Sequence, residues 1–238
     1  MPRLDVRLTK SGLIESRQRA QALILAGKVR VAGETERRPD RAVRDDDVVT
    51  VDESPGYASR GALKLGPALD RFQVDPAGRA CADVGASTGG FTDVLLRRGA
   101  AKVFAIDVGR GLIHWRLRQD PRVVVIERVN ARDLDSFPEP VSLIVADLSF
   151  ISLEKVLPAL RRAGPTAEVV ALFKPQFEVG RADVGKGGVV RDPIVIEAAL
   201  LRFRTWCEGN GYTVAGEAAS KLTGAEGNQE FFFYLRPT

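Results

Sequence analysis

The sequence predicts an α/β protein in two units. A small basic α+β unit comes first, and a larger unit follows, built on a mainly parallel sheet with helices on both faces. Three observations predict this. The 238 residues are 45% hydrophobic and 28% charged, enough chain for a sizeable core and more than one unit. The charge is uneven: residues 1–44 hold eleven Lys and Arg against five acids, a net of +6, so the remaining 194 residues carry −2 of the overall +4. Beyond residue 79, short apolar runs alternate with helical stretches.

In the basic segment, RLDVRLTKSG reads as a short helix ended by Gly12. Ser16 can cap a second helix, RQRAQALILAG, with Ala20, Leu23 and Ile24 on one face and Arg17, Gln18 and Gln21 away from it. Gly27 stops that helix. KVRVAGE then alternates, Val29 and Val31 on one side, Lys28 and Arg30 on the other, turning at Gly33. DDDVVTV closes the unit as another strand, with Asp45 to Asp47 facing away from any phosphate surface. Charge alone fits a solvated face as well as an anionic partner.

ESPGYASRGALK bridges the two parts, with Pro55 and Gly56 interrupting regular structure. The expected division is 1–54, a linker 55–62, and 63–238. Ser59 reads as the N-cap of a helix through Phe72, with Pro67 kinking or shortening it. The strands that follow are ACADV, KVFAID, RVVVIE, VSLIVAD and AEVVALFK, then about 212–219 and 229–235. Between them lie the helix FTDVLLRRG, one from Ser152 to Ala163, and a long one opened by Asp192 and Pro193 and ended near Gly209.

Sheets of this kind bind ligands beyond the carboxyl ends of their strands. There the sequence places Asp83 with the Gly85–Gly90 bend, then Asp107, Asn130, Asp147 and Lys174. One such residue is an ordinary turn-former; five in register suggest a site. The bend, DVGASTGGF, lacks GxGxxG spacing. Asp107, 22 residues after Gly85, suits two ribose hydroxyls and repels a 2′-phosphate. NAD and S-adenosylmethionine both remain open on these residues alone. Lys64, Lys174 and Glu230 each have a plain explanation when taken singly.

Taken together, the motifs carry a family resemblance. SRGALKL (59–65), DVGASTGGF (83–91), ADLSF (146–150), FKPQFE (173–178) and NQEFFFYL (228–235) resemble the FtsJ-like 2′-O-ribose RNA methyltransferases. RLDVRL, SRQRAQALILAGKVRVAGE and DDDVVTV, in that order, resemble the RNA-binding module first known from ribosomal protein S-four. The whole of residues 2–238 resembles the TlyA family, once called haemolysins, and LFKPQFEVGRADVGKGGVVRDP is specific for that group.

The resemblance implies a Rossmann-like class I methyltransferase unit, its seven-stranded sheet ending in an antiparallel strand. It implies S-adenosylmethionine as cofactor and 2′-O-methylation of cytidine in ribosomal RNA of either subunit or both, with ribosomal RNA or ribosomal subunits as partners. The implied Lys–Asp–Lys–Glu tetrad falls on Lys64, Asp147, Lys174 and Glu230. Methyl transfer to a ribose hydroxyl needs a proton acceptor. Two close ammonium groups depress one another's pKa, which suits Lys174 to that role. Asp147 and Glu230 would orient the lysines, and Lys64 would position the ribose or a phosphate. Gly85, Ala86, Ser87, Gly89, Gly90 and Phe91 would admit the methionine end of the cofactor, with Asp83 on its ammonium, Asp107 on its ribose and Asn130 near the adenine, where Asp133 competes; Asp147 would touch the cofactor as well as the lysines. Phe150, like Phe91, fits either the methyl-donor pocket or the core. RNA phosphates would meet Arg3, Arg7, Arg17, Arg19, Lys28, Arg30 and Arg60.

Two cysteines and the lone His114 make neither a disulfide framework nor a metal site, so no metal is expected and a reducing cytoplasm fits. In GLIHWRLRQD, His114 beside Trp115 reads as a packed helix residue, with a catalytic histidine as the alternative. MPRLDVRL has no apolar signal core, and no apolar run is long enough to span a membrane. A monomer is expected. The glycine-rich loop 177–191, with Arg181, Lys186 and Arg191, is expected to be mobile and to close over RNA or cofactor, or simply to be solvated. Three readings compete: an NAD-dependent oxidoreductase, a membrane-active cytolysin, and a non-catalytic ribosomal-RNA-binding assembly factor.

Overall fold

A computed structural model describes residues 1–14, 16–44, 46–51, 56–224 and 227–238. The expectations for Asp45 and Pro55 lie outside them. The chain divides into two compact units, Met1–Gly56 and Tyr57–Thr238.

In the first unit, α1 (Leu4–Lys10) and α2 (Arg17–Leu25) are followed by β1 (Val29–Val31), β2 (Glu34–Glu36) and β3 (Val49–Val51). The Ser16 side chain accepts from the Arg19 amide at 3.2 Å and starts α2. The strands form an antiparallel sheet in the order β2-β1-β3. Leu4, Leu8, Leu23, Ile24, Val29 and Val31 fill the core. The sequence did not announce β2: Ala32 and Gly33 both take positive φ, and the tight turn they make folds the polar segment Glu34–Glu36 back onto β1.

A carboxylate holds the helices together. Asp5 is fully buried and accepts from Arg3 Nε at 3.1 Å, Arg17 Nε at 3.0 Å and Gln21 Nε2 at 2.8 Å. Arg17 and Gln21 leave the apolar face of α2, as the helical period requires, because they meet Asp5. The Arg3 guanidinium outweighs burial, and Gln21 and Arg17 add to it, holding this carboxyl well below its usual range. Its stabilisation is therefore present above the ordinary carboxylate range and lost as pH falls below it. Asp5→Ala is expected to destabilise the first unit. Arg3 and Arg17 stay half-exposed, which discounts the loss to about 2 kcal/mol, below that of a fully buried pair. Urea unfolding followed by far-UV circular dichroism checks it; an unchanged midpoint contradicts the assignment.

The second unit contains α3 (Ala62–Phe72), β4 (Ala80–Val84), α4 (Gly90–Arg97), β5 (Lys102–Asp107), α5 (Trp115–Arg118), β6 (Val123–Glu127) and β7 (Leu143–Ala146). It continues through α6 (Leu157–Ala163), β8 (Glu168–Phe173), α7 (Pro175–Glu178), α8 (Pro193–Gly209), β9 (Tyr212–Ala219) and β10 (Phe231–Pro237). The seven strands lie in the order β6-β5-β4-β7-β8-β10-β9. Neighbours from β6 to β8 are parallel, and β10 is antiparallel to both β8 and β9. The seventh strand thus has the reversed direction that the resemblance implies. Successive side chains of a strand point to opposite faces. Accordingly Phe233 packs against Phe203 with ring centroids 4.8 Å apart, while Phe232 packs against Phe91 at 6.1 Å in the other cluster.

Three local expectations are corrected. Ser59 does not cap a helix; α3 begins at Ala62, and the Ser59 hydroxyl accepts from the Gly61 amide at 3.3 Å. Pro67 does not stop α3 early; the helix runs on to Phe72, and burial of Leu65 and Leu69 outweighs the hydrogen bond the proline removes. Residues 57–62, expected in the linker, pack into the second unit: the Ala58 amide donates to Asp93 Oδ2 at 2.9 Å, and the Arg97 guanidinium lies 4.5 Å from the Tyr57 ring centroid.

The loop 177–191 is anchored at its far end. Val189 and Val190 are buried, the Val190 amide donates to Asn228 Oδ1 at 3.0 Å, and Asn228 Nδ2 donates to the Gly188 carbonyl at 2.8 Å. His114 caps α5, its Nδ1 accepting from the Arg116 amide at 3.3 Å. Cys81 and Cys207 are buried free thiols, each pushed up to about 12 by burial.

Candidate active site

The parallel strands β4, β5, β7 and β8 all end at one sheet edge, and β10 starts there because it runs the other way. Phe231 pairs with Phe173, so Glu230, one residue before β10, sits at the edge that Lys174 reaches one residue after β8. Asp147 follows β7 directly. Lys64, on the first turn of α3, approaches from the helical layer.

These four side chains form two ion pairs. Lys64 Nζ donates to Glu230 Oε2 at 2.5 Å, and Lys174 Nζ lies 2.6 Å from Asp147 Oδ1. Lys174 and Glu230 are buried. Each ammonium thus has its own carboxylate at contact distance. Lys174 Nζ also donates to Ser149 Oγ at 3.0 Å. All five residues line one cavity of about 880 Å3.

A second cavity of about 690 Å3 adjoins it, sharing Gly85, Ser87, Asp147, Ser149, Phe150 and Phe177. Gly85 allows the contact between the bend and β7. Its φ is +84°, and a Cβ there would stand 2.3 Å from the Asp147 carbonyl oxygen. Gly89 and Gly90 also meet a packing requirement. A Cβ on Gly89 would stand 2.3 Å from Leu117 Cδ1, and one on Gly90 would stand 2.2 Å from Ser59 Oγ. Both make room for neighbouring protein, although Gly90 also borders the larger cavity. Ala86 and Phe91 border it too, but both are buried, and Phe91 belongs to the core against Phe232.

Asp107, the last residue of β5, lines the smaller cavity and already holds the local backbone. Its Oδ2 accepts from the Ser87 amide and its Oδ1 from the Gly109 amide, each at 2.7 Å. Asn130 both caps and lines: its Oδ1 accepts from the Arg132 amide at 3.1 Å, and it faces the smaller cavity, whereas Asp133 is exposed. Phe150 is 91% exposed with φ +65°, its ring centroid 5.2 Å from that of Phe177.

Asp83 is fully buried at the border of the larger cavity. Its Oδ2 accepts from the Thr92 amide at 2.8 Å and the Thr92 hydroxyl at 2.6 Å, while Oδ1 is buried without a hydrogen-bond partner. Burial pushes this carboxyl up to about 7, against the two Thr92 bonds and with help from the charges of Asp147 and Asp107. Sequence reasoning missed Ser149 and Gln176. Both lie two residues past a tetrad member, Ser149 in an irregular segment and Gln176 in the single turn of α7, each too short for a period to mark which side chains face the cavity.

The expected RNA contacts divide. Arg60 lines the larger cavity. In the first unit, Arg3 and Arg17 are tied to Asp5, and Arg7 donates to the carbonyls of Arg44 and Asp47. Arg19, Lys28 and Arg30 are exposed on that unit. Among the described residues, no helix is long and apolar enough to cross a membrane.

Comparison with known proteins fits both units. Residues 57–237 match the FtsJ-like methyltransferase family and residues 2–49 match the S4 domain. The chain is 51% identical to the 16S/23S rRNA (cytidine-2′-O)-methyltransferase TlyA of Mycobacterium tuberculosis, over 98% of this chain and 89% of that protein. It is 41% identical to Hemolysin A of Brachyspira hyodysenteriae, over 98% and 99%. A solved protein of Streptococcus thermophilus that carries a hemolysin name superposes with a TM-score of 0.75 at 40% identity, covering 99% of this chain and 88% of that one. An oxidoreductase is thereby set aside: the chain belongs to the TlyA family, FtsJ-like methyltransferases that carry an S4 domain ahead of the catalytic unit.

Proposed function

We propose that this methyltransferase uses S-adenosylmethionine to methylate the 2′-hydroxyl of a cytidine in ribosomal RNA, of the small subunit, the large, or both. The observation that carries the reading is the pair of ion pairs, Lys64–Glu230 and Lys174–Asp147, lining one cavity beside the Gly85 bend. A membrane-active protein has no need of that arrangement, and neither has a pure assembly factor.

The residues present fit the cofactor. The partnerless Asp83 Oδ1 suits its ammonium, the bend at Gly85 to Ser87 its methionine end, Asp107 its ribose and Asn130 its adenine. When bound, its sulfonium supplies an electrophilic methyl carbon. The protein's own task is the proton and the alignment. A ribose hydroxyl becomes a competent nucleophile only as its proton leaves. As a neutral amine Lys174 has Asp147 and Ser149 on two sides of Nζ and turns its lone pair to the substrate hydroxyl; that lone pair takes the hydroxyl proton, and the ammonium so formed is the one paired with Asp147. Glu230 fixes Lys64 against the ribose or its phosphate. Positioning of this kind can supply several kcal/mol of the barrier. The exposed Phe150 ring offers a stacking face for an unpaired base.

The first unit, taken as residues 1–54, holds the ribosomal RNA through phosphate contacts from Arg19, Lys28 and Arg30. Arg3, Arg7 and Arg17 contribute from positions fixed by their structural bonds. Such contacts give affinity without base identity, so binding should weaken steeply with salt. The reaction is tested by incubating the full chain with purified ribosomal subunits and methyl-labelled S-adenosylmethionine. Label is expected in 2′-O-methylcytidine after complete nuclease digestion. Its absence, while a known methyltransferase succeeds in the same assay, would favour the assembly factor.

A further inference from the structure

Gln176 lies two residues after Lys174, within the single turn of α7, and lines the larger cavity together with all four tetrad residues. Its Oε1 is buried and has no hydrogen-bond partner. A buried amide oxygen without a donor is costly, so a donor from a bound molecule is the natural complement. Topology indicates which molecule brings it. Asp107 and Asn130, assigned to the cofactor's ribose and adenine, lie at the end of β5 and just after β6, on one side of β7 and in the smaller cavity. Gln176 follows β8 on the other side, beside the groups assigned to the ribose.

Within an RNA strand a nucleotide has few donors. Its 3′ oxygen is esterified, its phosphates donate nothing, and its 2′-hydroxyl is committed to Lys174. The N–H groups of the base remain. On cytosine the exocyclic amino donor lies next to the ring N3 acceptor, a spacing that a carboxamide matches with its own oxygen and nitrogen.

We propose that Gln176 is a specificity residue: its Oε1 accepts from the exocyclic amino group of the target cytosine, and its Nε2 donates to ring N3. This rests on the cytidine reading above. The test is a double-mutant cycle on ribosomal subunits reconstituted with RNA carrying, at the methylated position, either cytidine or 2-pyrimidinone riboside, which lacks only the amino group. Gln176→Met or the analogue alone is expected to lower kcat/KM by about 10- to 100-fold. Both together are expected to lower it by clearly less than the product of the two single losses, the drop below the analogue alone being the ring N3 contact, with S-adenosylmethionine affinity unchanged. Losses that multiply overturn the contact. If Gln176→Met does not fold, Gln176→Glu, of the same size, keeps the acceptor and must keep the penalty for the missing amino group; losing that penalty also overturns it. A wild type that methylates neither RNA overturns the reaction itself, whereas a wild type active on cytidine with multiplying losses overturns only the role of Gln176.

Discussion

Lys174→Ala is expected to lower methyl transfer by about a thousandfold while S-adenosylmethionine affinity stays within about twofold. A positioned general base contributes on the order of 10²–10⁴ in rate. Lys174 is a buried amine that lines the larger cavity and not the smaller one, although its contacts Asp147 and Ser149 line both. The residues assigned to the cofactor's ribose and adenine, Asp107 and Asn130, border the other cavity, so its affinity should survive. Alanine also leaves Asp147 without its cation, which could act through stability. Lys174→Arg separates the two effects, because a guanidinium keeps a positive charge beside Asp147 but does not accept a proton at neutral pH. Arginine is therefore expected to be as inactive as alanine with near-normal thermal stability. Single-turnover transfer and calorimetry of the cofactor check both variants. Activity within a few fold of wild type in either would remove Lys174 from the chemistry.

Asp83→Asn is expected to weaken S-adenosylmethionine binding by about 10- to 100-fold and to abolish its pH dependence, since a neutral amide cannot pair with the ammonium. Burial raises the carboxyl from an ordinary 3.8 to about 7 in the folded protein. Between those values the folded chain keeps a proton that the unfolded chain has lost. The stabilisation from this group is full below the ordinary carboxylate range and disappears as pH rises through about 7. Cofactor affinity has the opposite sense, because the ammonium needs the ionised form: wild-type binding should tighten as pH rises through about 7. The asparagine variant, spared a buried charge, should unfold at a higher temperature than wild type above that pH in the absence of cofactor. Titrations at pH 6, 7 and 8 with matched melting curves check all of this. Flat wild-type affinity across that range would mean Asp83 is already ionised or does not meet the ammonium.

Much of the fold was legible because it follows from period and punctuation. The alternation of apolar strands and helices beyond residue 79 gave the parallel sheet, and the polar residue ending each strand marked the edge where Asp147 and Lys174 lie. Glu230 was legible only through the family motif, since its place depends on β10 running backwards into register with β8. What escaped was tertiary. The family resemblance put Arg3, Arg7 and Arg17 at a phosphate surface without showing Asp5 or the carbonyls of Arg44 and Asp47. The glycine bend looked wholly devoted to a ligand, yet Gly89 and Gly90 yield to Leu117 and Ser59, residues distant in sequence. Nothing local in the loop 177–191 reveals that Asn228, far along the chain, bonds its end. Gln176 has no periodic signature at all; only its orphaned oxygen singles it out.

Ribose methylation mapped by mass spectrometry, on ribosomal RNA from cells with and without this protein, tests the central claim most directly. At least one cytidine should carry a 2′-O-methyl group only when the protein is present, and a Lys174→Ala copy should fail to restore it. Identical maps in the two strains would show that the paired lysines and carboxylates at this sheet edge do not modify ribosomal cytidine.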